Sequence, residues 1–208
     1  VCMPIRAVLV DMDGTIWKTP VDWAGLRRTL GLPPDGRPIV EHLRNVPSRE
    51  RARGMKMLAE QEARGAAEGC LMPGADELVD FVSRNRLRSA LVTNNSRASV
   101  DTVLAQHRLQ FDVVLSRDEI AMKPAPEAFL VPLESLGCSP EEAVAIGDTH
   151  LDVWAAHAAG LAHAILVAPP QWTRQLLPRS ARLTEVSDLD EARRVLAALL
   201  SATSKAPD

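Results

Sequence analysis

The feature that most constrains this chain is a set of five short, nearly uninterrupted apolar runs. They fall at residues 6–11 (RAVLVD), 88–93 (RSALVT), 111–115 (FDVVL), 143–147 (AVAIG) and 162–168 (AHAILVA). A strand with one wet face would alternate apolar and polar residues. A run without alternation reads as a strand buried on both faces, which is the habit of parallel sheets. Between the runs lie stretches with helical spacing. Residues 74–85 place Leu78, Phe81 and Val82 on one face, and residues 96–107 do the same with Val100, Val103 and Leu104. Ser139 before Pro140 reads as the cap of a short helix or turn, and residues 190–201 as a final helix. Strands alternating with helices require right-handed crossovers, so the fold class is α/β, a doubly wound, Rossmann-like parallel sheet with helices on both faces.

Residues 17–72 break the rhythm. They read as two or three helices, at 22–30, 39–45 and 48–68, with Pro33-Pro34-Asp35-Gly36 as a loop and Met72-Pro73-Gly74 as the return to the sheet. The chain therefore divides into a sheet domain, 1–16 and 73–208, and a small helical insertion after the first strand. With 208 residues and 46% hydrophobic content, such a core needs no disulfide or structural metal. The tail after Ser201 reads as frayed.

Composition excludes several classes. A charge of −3 from 24 basic and 27 acidic residues gives no electrostatic footprint for nucleic acid. The apolar window 155–170 contains His157 and His163 and is too short to span a bilayer, and the run Ala7–Val10 is too short for a signal peptide. Cys2, Cys70 and Cys138 form no C-x-x-C pair, which suggests free thiols in a reducing compartment, the cytoplasm.

The chemistry sits where the runs end. The first ends in Asp11-Met12-Asp13-Gly14-Thr15, with two carboxylates at i and i+2 and a glycine that permits a tight exit. The second ends in Thr93-Asn94, offering a hydroxyl and backbone N–H groups. Lys123 follows the third, at a helix entrance, and Gly147-Asp148 ends the fourth, with Asp152 one helical turn on. All four fall at one edge of a parallel sheet, the edge at which such folds bind ligands. Asp11, Asp13 and Asp148 are hard oxygen donors suited to Mg2+, while Thr93 and Lys123 suit phosphate oxygens. Only four of the 24 basic residues are lysines, so a lysine in this set carries weight. The cluster points to phosphoryl transfer.

These segments, with KPAPEAF (123–129) and GDTHLDVWAAHAAG (147–160), resemble the haloacid dehalogenase superfamily of phosphatase type, and within it phosphoglycolate-phosphatase-like members. The resemblance implies that Asp11 is the nucleophile and Asp13 the general acid/base, which also gives its backbone carbonyl to the metal. It implies that Thr93 and Lys123 hold phosphate, that Asp148 is a metal ligand, and that Asp152 acts through water or by orienting Lys123. Gly14, Thr15 and Asn94 are expected at the phosphate, and the insertion 17–72 is expected to be a cap over the substrate. The sequence departs from the phosphoglycolate-phosphatase pattern at Lys18, which replaces an Asp at the cap hinge; it is a candidate contact for an anionic substrate or a solvated hinge residue. Arg49, Arg51 and Arg53 read as a solvated face, with substrate steering as the other reading. His150 and Trp172 are further candidates for the crevice. The implied activity is Mg2+-dependent hydrolysis of a small phosphorylated metabolite through an aspartyl-phosphate. The alternatives are a sugar phosphomutase, a dehalogenase, and a non-catalytic receiver-like phosphate-binding module. The particular substrate and the oligomeric state stay open.

Overall fold

The computed structural model describes residues 3–33 and 36–203. In chain order its strands are β1 (Ala7–Val10), β2 (Trp17–Lys18), β3 (Cys70–Leu71), β4 (Arg88–Val92), β5 (Val113–Leu115), β6 (Ala143–Gly147), β7 (His163–Val167) and β8 (Leu183–Val186). Its helices are α1 (Trp23–Thr29), α2 (Ile39–Leu43), α3 (Ser48–Glu68), α4 (Ala75–Arg84), α5 (Arg97–Gln106), α6 (Glu127–Leu136), α7 (His150–Ala159) and α8 (Leu189–Thr203).

The five apolar runs all form strands of one parallel sheet, ordered β5-β4-β1-β6-β7-β8. Strand β1 is central, and its four side chains are at most 1% exposed because helices cover both faces. Val8, Val10, Leu91 and Ile146 pack on one face with residues of α4, α5 and α8; Leu9, Ala90 and Ala145 pack on the other with α6 and α7. The chain builds outward from β1 to β4 and β5, then crosses back to β6. The order thus reverses beside β1, where open parallel sheets leave a crevice at their carboxyl ends. The register places Val10 level with Leu91 and Ile146, so Asp11, Thr93 and Asp148 leave the sheet side by side.

Differences from the sequence expectation have local causes. Strand β5 begins at Val113 because the Asp112 carboxylate itself accepts the Ser89 N–H at 2.8 Å, taking the place of a ladder carbonyl. Strand β8 was not expected: it lies at the sheet edge, pairs only with β7, and its Leu-Thr-Glu-Val sequence lacks a continuous apolar run. Strands β2 and β3, two residues each, form an antiparallel ribbon too short to carry a pattern. Helix α8 runs to Thr203, past the expected end at Ser201, and the rest of the tail lies outside the described residues. So do Pro34 and Asp35 of the expected loop, and Cys2.

Helices α1, α2 and α3 lie between β2 and β3 and share a cluster of their own, formed by Leu26, Ile39, Leu43 and Leu58. The far end of α3 is bound to the sheet domain. The fully buried Trp17 donates its indole N–H to the Gly65 carbonyl at 3.0 Å, and Gln106 on α5 donates to the Ala66 carbonyl at 3.0 Å. Among the described residues no helix is long and apolar enough to cross a membrane.

Candidate active site

After β1 the chain folds into a tight loop in which the N–H groups of Thr15, Ile16 and Trp17 all turn to the Met12 carbonyl. Gly14 has φ of +84°, and a Cβ there would collide with the Asp148 carboxylate. Glycine is required twice over, for the left-handed backbone and for the close approach of the two loops. Gly147 permits a close approach within the β6–α7 segment, since a Cβ at that position would strike the Asp152 side chain.

Lys123 joins the loops. Its Nζ donates to Asp11 Oδ1 at 2.5 Å, to Asp152 Oδ1 at 2.6 Å and to the Val92 carbonyl at 3.0 Å. An ammonium has three protons, so all three are engaged. The backbone of Lys123 is held as firmly: Asn94 accepts its N–H and donates to its carbonyl, both at 2.8 Å. Asn94 therefore positions Lys123, and any phosphate contact from Asn94 falls to its backbone. Asp152 bridges two elements, because its second oxygen accepts the backbone N–H and hydroxyl of Thr149, both at 3.1 Å, capping α7. Of the two expectations for Asp152, the observed contact is the one that orients Lys123.

Thr15 is buried and donates its hydroxyl to Asp11 Oδ2 at 3.3 Å. Thr93, also buried, accepts the Asn95 N–H at 3.1 Å, which leaves its own hydroxyl proton for an acceptor in the cleft. Asp13 accepts from the Asn95 side-chain amide at 2.8 Å. Asp11, Asp148 and Asp152 each bring a carboxylate oxygen into a group whose atoms lie within 4.8 Å of one another, an arrangement that could hold a metal ion.

Electrostatics follow from crowding carboxylates out of water. Desolvation raises the Asp11 carboxyl to about 7 against the opposing pull of Lys123, and raises Asp13 to about 6 against the Asn95 hydrogen bond. Asp148 is pushed well up, first by desolvation and then by the charge of Asp11. Burial alone would lower Lys123, but Asp11 and Asp152 outweigh it and hold the ammonium above its ordinary value.

Above this floor is a cleft of about 250 Å³, lined from below by Asp11, Asp13, Thr93, Asn94, Lys123 and Asp148. The roof comes from the helical insertion, including Trp23, Arg37, Ile39, Leu58 and Glu62, with Arg117 and Trp172 at the sides. Lys18 does not join them: it is exposed on β2, away from the cleft lining. Arg49, Arg51 and Arg53 are exposed on α3 and also lie outside the lining. Trp172 reaches the cleft, whereas His150 packs edge-on against Trp172 at 5.5 Å with its Nδ1 buried and unpartnered.

Besides the other roof residues, Asn95, Glu62 and Arg117 escaped the sequence reading. Glu62 and Arg117 form a bidentate ion pair in which the Arg117 Nη2 to Glu62 Oε2 contact is 2.7 Å. A signal for Glu62 existed. It falls on the helix face defined by Leu58, Gly65 and Ala66, where a carboxylate is out of place unless paired.

The chain belongs to the haloacid dehalogenase-like hydrolase family, whose model matches residues 5–160. A phosphorylated carbohydrates phosphatase of Thermotoga maritima is 30% identical over 183 residues, covering 76% of this chain and 82% of that one. Protein CbbY of Rhodobacter capsulatus is 29% identical over 203 residues, covering 83% and 88%. Among solved structures, CbbY from Rhodobacter sphaeroides in complex with phosphate is 26% identical with a TM-score of 0.64, over 90% of this chain and 96% of that one.

Proposed function

We propose that this hydrolase is a Mg2+-dependent phosphatase of a small phosphate monoester, with residues 17–72 acting as a cap over a catalytic core formed by 1–16 and 73–208. The observation that carries the reading is the floor itself: a buried carboxylate, Asp11, held at 2.5 Å by Lys123, with Thr93 beside it and a second carboxylate, Asp13, two residues on. A metal fits these residues. Asp11, Asp148 and Asp152 bring three hard-oxygen groups together against a single ammonium, and their desolvation leaves the cluster short of positive charge. Asp11, Asp148 and the Asp13 backbone carbonyl are the proposed ligands. Mg2+ bound there would neutralise charge on the phosphoryl oxygens.

Asp11 attacks phosphorus in line as the alcohol departs, giving an aspartyl-phosphate. Asp13, whose carboxyl burial raises above its ordinary value, delivers a proton to the leaving oxygen. It then takes a proton from the water that hydrolyses the acyl phosphate, which restores both carboxyl groups. Thr93 donates its hydroxyl to a phosphoryl oxygen, and Lys123 exchanges one of its present contacts for another. The CbbY structure in complex with phosphate, and the relative named as a phosphatase, support this class of substrate. The free thiols Cys70 and Cys138 are consistent with a cytoplasmic setting.

The test is phosphate release from a panel of sugar phosphates, nucleotides, phosphoglycolate and amino-acid phosphates, with Mg2+ and with a chelator. Activity should vanish with the chelator and with Asp11→Asn while the fold persists. Turnover by Asp11→Asn, or isomerisation of a sugar phosphate in place of release, would overturn the reading.

A further inference from the structure

We propose that Glu62, on the insertion helix α3, is a positioning residue for the Asp13 acid/base, acting through Arg117 and the Asn94–Asn95 turn. The inference rests on the phosphatase reading and adds a residue from the roof to its machinery.

The connection is a continuous series of hydrogen bonds. Glu62 takes both ends of the Arg117 guanidinium. The same Arg117 head donates to the Asn94 carbonyl at 3.1 Å, and the Arg117 backbone N–H donates to the Asn95 carbonyl at 3.2 Å. Both carbonyls of the turn are thus held by one residue. Within the turn, the Asn95 Oδ1 accepts the Ser96 N–H at 2.7 Å, which fixes the orientation of the amide and aims its Nδ2 at Asp13 Oδ2, 2.8 Å away. Asn94 meanwhile clasps the backbone of Lys123.

The energetic setting argues that the pair has a task beyond packing. The Glu62 and Arg117 side chains are 4% and 10% exposed. Burying two charges costs several kcal/mol per ion before their attraction is counted, and a pair of apolar residues would fill the same space as well or better. What an apolar pair lacks is direction. A planar guanidinium can grip a carboxylate with two donors and a carbonyl with a third, fixing angles as well as distances. The roof side of the pair is fixed too, since Trp17 and Gln106 hold α3 at Gly65 and Ala66, within about one helical turn of Glu62. Proton delivery demands such placement, because a general acid must come within about 2.6–3.2 Å of the oxygen it protonates.

The experiment is a leaving-group series of substituted phenyl phosphates, from p-nitrophenyl to p-methoxyphenyl phosphate, on wild type, Glu62→Gln and Arg117→Lys. A p-nitrophenolate departs with little help from an acid, whereas p-methoxyphenolate needs the proton. Glu62→Gln should lose at least about fivefold more kcat/KM on p-methoxyphenyl than on p-nitrophenyl phosphate. Arg117→Lys, which keeps the charge pair but puts all its donors on one nitrogen in place of the planar fork that spans both Glu62 oxygens and the Asn94 carbonyl, should steepen the series in the same way. It stands in for Glu62→Gln should that variant not fold. In an Asn95→Ala background, adding Glu62→Gln should change the slope no further, because both act on one chain of contacts. Equal losses across the series, or slopes that add in the double variant, overturn the role of Glu62 and leave the phosphatase reading intact. A wild type that releases no phosphate from any member of this series or of the metabolite panel overturns both.

Discussion

The floor and the roof of the cleft are built on opposite plans. The floor is ionic and long-range: Asp11, Lys123 and Asp148 arrive on three separate loops and meet because parallel strands deliver them in register. Its polar groups are largely committed, with all three protons of Lys123 and both oxygens of Asp152 engaged. The roof is helical and local, held by a small cluster around Leu26, Ile39, Leu43 and Leu58, and it presents mainly apolar side chains to the cleft. A floor of this kind decides which bond is broken, because charge must be stabilised at fixed positions. A roof of this kind decides what fits above it and how well water is excluded. The Glu62–Arg117 pair is where the two plans touch.

Substitutions can separate the two regions. The largest effect is expected at the floor: Asp11→Asn should lower kcat by on the order of 10⁴-fold with little change in Tm, as phosphate release and thermal melts would show. At the roof, Leu58→Ala should cost about 2–4 kcal/mol by opening a cavity in the insertion cluster. Amide exchange should then quicken in α2 and α3 and stay slow in β1 and β6, and KM should rise more than kcat falls. Loss of protection in β1 would show that the roof is not an independent unit.

A third contrast concerns pH. In the folded protein without metal, Asp11 titrates at about 7 and Asp13 at about 6, against an ordinary value of 3.8. The folded state therefore holds protons that the unfolded chain has released, and metal-free stability should decline as pH rises from about 4 to about 7. Mg2+ should raise Tm by several degrees at pH 7.5 and by less at pH 5, where protons compete for the same oxygens. A Mg2+ shift that is the same at both values would argue against the carboxylate site. The smallest effect belongs to Lys18→Ala. Exposed and outside the cleft lining, it should stay within about 0.5 kcal/mol in stability and alter kcat/KM by less than about twofold.

The parts that are legible in the sequence share a cause. A strand buried on both faces must be apolar throughout, so β1, β4, β6 and β7 announce themselves, and the residues just past their ends inherit their positions. That is why Asp11, Asp13, Thr93 and Asp148 group together on sequence grounds alone; Lys123, well past the half-buried β5, stands out as one of only four lysines. Helices α1 to α3 are legible through their own periodicity and breakers. Strand β8 is not, because an edge strand tolerates Thr184 and Glu185, and the β2–β3 ribbon is too short.

By itself, then, the sequence determined five of the six strands of the sheet, the edge at which chemistry collects and the acidic and cationic members of that edge, since each depends on patterns a few residues long. Only the tertiary structure decided that Lys18 stands apart while Glu62 and Arg117, 55 residues apart, close on each other beside Asn95. A contact across that distance leaves no periodicity behind; it exists because α3 is held against the core at Trp17 and Gln106, and packing, not propensity, brings those side chains together.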